Sequence, residues 1–101
     1  MGVSKSPFMQ VVDEIVAMHN KKSKDYGRDT DPFANVRASE DFGIAGWIGT
    51  AIRMNDKMRR LQKASQGEKL ANESIEDSFL DLAVYAIIGL CLLREENGTG
   101  T

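Results

Sequence analysis

The chain has 101 residues and a mass of 11.2 kDa, the size of one small domain, with 13 Lys+Arg against 15 Asp+Glu for a formal net charge of -2. That near balance, with a pI of about 5.3, supplies no global basic field and argues against binding of duplex nucleic acid. One cysteine, Cys91, and one histidine, His19, exclude an intrachain disulfide and a CxxC site and remove most zinc chemistry, so a metal here is expected to be a hard cation held by oxygen.

The opening MGVSKSPFMQ lacks the apolar run of a signal peptide, and no stretch is long and apolar enough to suggest a membrane span, so a cytoplasmic protein is expected. Residues 1–6 are expected to be flexible. Ser6-Pro7 then offers an N-cap followed by proline at the first helical position, and Phe8, Val11, Val12, Ile15 and Met18 recur at helical spacing. A first helix over roughly 7–23 ends in a polar string closed by Gly27, and a loop follows over 28–31. Asp31-Pro32 repeats the cap-plus-proline signature, which predicts a short helix from Phe33 to Asp41 stopped by Gly43.

A second long helix is predicted from about Ile44 to Lys63. Ile44, Trp47, Ile48, Ala51, Met54, Met58 and Leu61 form its apolar face, and Arg53, Lys57, Arg59 and Arg60 hold much of the rest. Residues 64–71 read as a connector around Gly67, and Asn72 or Ser74 caps a last helix running to about Glu95. Residues 96–101 should fray. Nothing in the chain alternates like a strand. The expected fold is an all-α domain over 7–95 with three long helices and one short one.

From Phe79 to Leu93 the last helix is apolar on every side except at Asp81, the pattern of a helix surrounded by protein. Two other long helices supply too little cover, so a homodimer or higher homo-oligomer is expected to complete the bundle. Cys91 is expected in the core, and Trp47 is expected to anchor the core or the dimer, with stacking on a base as the alternative. Asp81, a carboxylate inside such a run, needs a cation or hydrogen-bond partner.

Glu73, Asp77 and Asp81 follow one another at four-residue spacing, with Glu76 beside them, so their carboxylates project along one side of the helix. A divalent cation such as magnesium or manganese would turn their repulsion into attraction. The competing reading is that acidic residues suit a helix N-terminus, with Asp77 placed three after Ser74 as in a capping box. Arg53, Lys57 and Arg60 share a face of the second helix and either neutralise Asp77 and Asp81 or hold phosphates. Lys24, Asp25 and Tyr26 add a cation, a carboxylate and an aromatic ring suited to a nucleotide, or else form a simple C-terminal turn.

The strings Lys24-Asp25-Tyr26-Gly27, Asp31 to Glu40, Arg53 to Leu61 and Glu73 to Ala86 resemble the small phage and prophage proteins called nucleotide modification associated domain type 1. In order, they carry DYG, R-x-x-D-K and E-D-x-x-x-D-x-A-x-Y. That family is similar in turn to the MazG-like all-α nucleoside triphosphate pyrophosphohydrolases. The resemblance, over roughly residues 8–94, implies a MazG-like helical bundle that oligomerises and handles nucleotides with magnesium, in the host cytoplasm if the chain is viral. It implies Asp77 and Asp81 as metal ligands, Asp25 or Asp56 as third ligand or base, and Lys24, Arg53 and Lys57 on phosphates, with Arg60 and Tyr26 beside them. The chain departs from the MazG pattern in two ways. It has no Glu-Glu-x-x-Glu string on the earlier helix, and its later acidic pair is spaced four apart instead of three.

Two functions are therefore expected. One is a magnesium-dependent pyrophosphohydrolase that releases a monophosphate and pyrophosphate from a nucleoside triphosphate. The alternative is a phage protein that binds and sequesters a nucleotide or nucleotide-derived immune signal without chemistry. A helical dimer that binds only protein is the third option.

Overall fold

The computed structural model describes residues 5–25, 37–69 and 73–98, leaving aside the side chains of 22–25. Its described elements are all helical, and the chain divides into two compact units, Met1–Pro32 and Phe33–Thr101. None of the described helices is long and apolar enough to cross a membrane.

In the first unit, Ser6 and Pro7 start α1 (Pro7–Asp25) as their chemistry predicts. The Ser6 hydroxyl accepts from the Met9 backbone N–H at 3.2 Å, and Lys5 bonds to Asp13 at 2.5 Å. α1 runs two residues past the expected end. Ile15 is buried and Val12 and Met18 are half-buried, whereas Phe8 is exposed. Tyr26, Gly27, the 28–31 loop, the Asp31-Pro32 cap, Phe33 and Val36 lie outside the described residues, as do the side chains of Lys24 and Asp25.

The second unit opens with a 3-10 helix, Ala38–Phe42, which Gly43 ends by adopting a left-handed φ of 77°. Arg37, just before it, makes a two-pronged ion pair with Glu95, at 2.6 and 2.8 Å. α2 (Gly46–Ser65) starts two residues later than the apolar pattern suggested, because Gly43 and Ile44 first donate back to Glu40 and Ser39 and close the preceding turn. After it, α3 spans Ile75–Glu96. Of the two expected caps, Ser74 is the one used: its hydroxyl accepts from the Asp77 N–H at 3.0 Å while the Asp77 carboxylate accepts from the Ser74 N–H at 3.3 Å.

α2 and α3 pack antiparallel. A Cβ on Gly46 would meet Leu92 at 3.1 Å, one on Gly89 would meet Thr50 at 3.4 Å, and Lys57 reaches Asp81 and Glu73, so positions rise on one helix as they fall on the other. Glycine inside a helix costs about 1 kcal/mol against alanine, which marks Gly89 as a concession to close approach. Buried Thr50 satisfies its hydroxyl on the Gly46 carbonyl at 3.0 Å.

This contact line differs from the expected one. The side of α2 turned to α3 carries Gly46, Thr50 and Lys57, whereas Trp47, Ala51 and Met58 of the expected apolar face remain exposed and Met54 and Leu61 only half-buried. At about 100° per residue, that apolar stripe lies roughly a quarter turn away from α3. α2 likewise leaves much of α3 uncovered: Phe79 is 60% exposed, Ile87 53% and Leu90 48%, and Cys91, expected in the core, is exposed. The apolar stripe of α2 that is legible in the sequence does not mark the α2–α3 interface.

Gly46→Val should lower the stability of the α2–α3 pair by about 1–3 kcal/mol, because the new methyl groups collide with Leu92 and Glu40. Urea unfolding followed by circular dichroism measures this.

Candidate functional site

Where α2 passes the first two turns of α3, a charged cluster replaces the small-residue packing. Lys57 Nζ lies 2.8 Å from Glu73 Oε1 and 2.8 Å from Asp81 Oδ2. Ser78, fully buried, donates its hydroxyl to Glu73 Oε2 at 2.5 Å, and Arg60 Nε stands 3.8 Å from the same oxygen. The Glu73 and Lys57 side chains keep only 13% and 17% of their surface, and Asp81 keeps 36%. A carboxylate so nearly desolvated needs a cation and donors, and Glu73 has both.

The electrostatics follow from this geometry. The hydrogen bond from Lys57, then that from Ser78, holds the Glu73 carboxyl below its ordinary value of 4.5, against the opposing effect of burial. Hydrogen bonds to Asp81 and then to Glu73 raise Lys57 above its ordinary 10.5, again against burial. Glu73 therefore contributes stability above about pH 4.5 that is lost as pH falls through its lowered pKa. The raised pKa of Lys57 contributes stability present below 10.5 that is lost as pH rises through the folded value. Glu73 and Lys57 are both charged throughout the window between them.

Of the residues singled out from sequence, the structure joins Lys57 directly to Asp81 and brings Arg60 to the edge of the same cluster. Arg53 and Asp56 sit exposed on α2. Asp77 is exposed and engaged in the capping box. Lys24, Asp25 and Tyr26 belong to the first unit, and their side chains lie outside what is described.

Sequence reasoning underrated Glu73, which it weighed mainly as a helix-start residue, and it missed Ser78. A signal for Ser78 existed: a hydroxyl at the mouth of an apolar run, three residues before Asp81 and so on the same helix face.

The magnesium that the family resemblance implies can be tested against this donor set. Glu73 and Asp81 converge on one point, and the Lys57 ammonium stands there, at 2.8 Å from each. Among the described residues no group of three or more Asp, Glu, His or Cys side chains could hold a metal ion. In this arrangement the cation that Glu73 and Asp81 share is the Lys57 ammonium.

Compared with protein-family models, curated proteins and solved structures, the chain matches none of them.

Lys57→Met should destabilise the second unit by about 1–3 kcal/mol near neutral pH, because it strands two carboxylates. The gap should narrow as pH falls through the lowered Glu73 value, where the wild type loses its own advantage. Thermal or urea unfolding of both proteins from pH 7 down to pH 3 checks the size and the direction of the effect.

Proposed function

We propose that this protein binds a nucleotide or nucleotide-derived small molecule and holds it without turning it over, as a MazG-like helical fold completed by copies of itself. The observation that carries the reading is the Lys57 ammonium between Glu73 and Asp81, which neutralises the carboxylates that magnesium-dependent hydrolysis would need. Arg53 and Arg60 lie four residues before and three after Lys57, with Arg53 exposed and the Arg60 side chain 42% exposed, a basic edge suited to phosphate oxygens. The resemblance to the nucleotide modification associated proteins supports the same class of ligand.

A second reading, the magnesium-dependent pyrophosphohydrolase, is favoured by one observation: Glu73 and Asp81 aim at a single cation position. In that reading Lys57 leaves for a phosphate and the two carboxylates, with Asp77 or Asp56, take the metal.

One incubation separates these readings. Purified protein is mixed with magnesium and a pool of linear, cyclic and modified nucleotides, then desalted, and both fractions are read by mass spectrometry before and after heat denaturation. Storage predicts an intact nucleotide released only by denaturation, equally with and without chelator, and reduced at least several-fold by Arg53→Ala. Monophosphate and pyrophosphate in the free fraction, lost on chelation, would overturn it in favour of the hydrolase. No nucleotide retained by the protein and none of the pool hydrolysed would overturn both readings and favour a helical protein that binds other proteins.

A further inference from the structure

Of the five asparagines in the chain, Asn97 is the one followed by glycine, Gly98. An Asn-Gly pair is open to attack from within the chain. The backbone nitrogen after the asparagine can close a five-membered ring on the side-chain amide carbon, and a glycine there puts no Cβ in the way. Both residues are exposed and lie just past the end of α3.

The fold restrains this reaction. Asn97 caps α3 with φ -82° and ψ 0°, and Gly98 takes the left-handed φ of 74° that ends the helix. The Gly98 N–H donates to the Glu95 carbonyl at 3.2 Å, and the Asn97 N–H donates to that of Leu93 at 3.0 Å. A ψ of 0° turns the Gly98 nitrogen toward the Asn97 nitrogen and away from Cβ, so the ring closes only after the last turn of α3 lets go.

Arg37 grips that turn from outside the helix. Two of its guanidinium nitrogens donate to the two oxygens of Glu95, at 2.6 and 2.8 Å. Glu95 and Glu96 occupy the helix end where the macrodipole disfavours negative charge, so the turn depends on this cation more than an ordinary C-terminus does.

We propose that Asn97 is a site of spontaneous deamidation whose rate is set by the Arg37–Glu95 ion pair. The proposal is independent of any nucleotide. When the turn frays, hydroxide removes the Gly98 amide proton and the nitrogen bonds to Asn97 Cγ. The Cγ–Nδ2 bond breaks, and Nδ2 takes a proton from water and leaves as ammonia. Water then opens the resulting succinimide at either carbonyl, giving aspartate or isoaspartate with no change of oxidation state. Either product adds a carboxylate beside Glu95 and Glu96 at the unfavourable end of the dipole. Isoaspartate also lengthens the main chain by one methylene and takes the Gly98 N–H out of register with the Glu95 carbonyl. The modification thus loosens the turn that restrained it, and it does not reverse.

The test incubates the full chain in mildly alkaline buffer, folded and unfolded in guanidinium chloride. Peptide mapping by mass spectrometry follows the exchange of NH2 for OH at residue 97. The folded protein is expected to convert to aspartate and isoaspartate at least several-fold more slowly than the unfolded chain. Arg37→Ala, with helix content confirmed by circular dichroism, is expected to convert several-fold faster than the wild type. An unfolded chain that converts while the folded one does not overturns modification of the native protein. Equal folded and unfolded rates overturn the restraint by the cap, and an unchanged rate in Arg37→Ala overturns the part of the ion pair. Should Arg37→Ala lose its helices, Glu95→Gln removes the charge of the pair with little change of shape. The same acceleration is expected there, and an unchanged rate refutes the proposal.

Discussion

The placement of one ammonium group constrains much of the second unit. Lys57 reaches Glu73 and Asp81 at once only if its side of α2 faces α3, and that choice fixes the rotation of α2 about its own axis. A desolvated cation between two carboxylates is costly to leave half-satisfied, so the cluster tolerates little rotation. At the other end of the hairpin Gly46, Thr50 and Gly89 agree with the same rotation, because only small residues let the helices approach there. Ion pairing at one end and close packing at the other thus select the same contact line.

That selection has an outward consequence. With the small and charged side of α2 used against α3, the stripe headed by Trp47 and the stripe headed by Phe79 are both left without cover inside the pair. Burial of apolar surface stabilises at about 25 cal/mol per Å², so these exposed side chains leave favourable free energy that the α2–α3 pair alone does not gain. The charge cluster and the exposed apolar side chains of the hairpin are two results of one rotation.

Much of this was legible in the sequence. Ser6-Pro7, Gly43 and the Ser74–Asp77 box mark helix ends through chemistry local to a few residues, and the structure uses each of them. The need of Asp81 for a partner was legible too, since a carboxylate in an apolar run has few alternatives. The contact line was not. Periodicity shows which residues avoid water but not which neighbour covers them, so the stripe from Trp47 to Leu61 reads as an apolar face of α2 with no neighbour named. Glu73 was legible as part of the acidic row but not as the centre of the cluster, because its role arises from a lysine 16 positions earlier, a relation that spacing along one helix does not reveal, and the role of Ser78 follows from Glu73, to which it donates.

The functional account turns on whether Lys57 is the resident cation of the site. Nitrogen-15 NMR of the lysine ammonium groups, recorded while magnesium is added, tests this directly. The account predicts a Lys57 resonance whose protons exchange slowly with water, that titrates above the ordinary lysine value, and that millimolar magnesium leaves unmoved. A Lys57 signal that exchanges like a solvated lysine, or that magnesium displaces from Glu73 and Asp81, would contradict it and return the two carboxylates to metal chemistry.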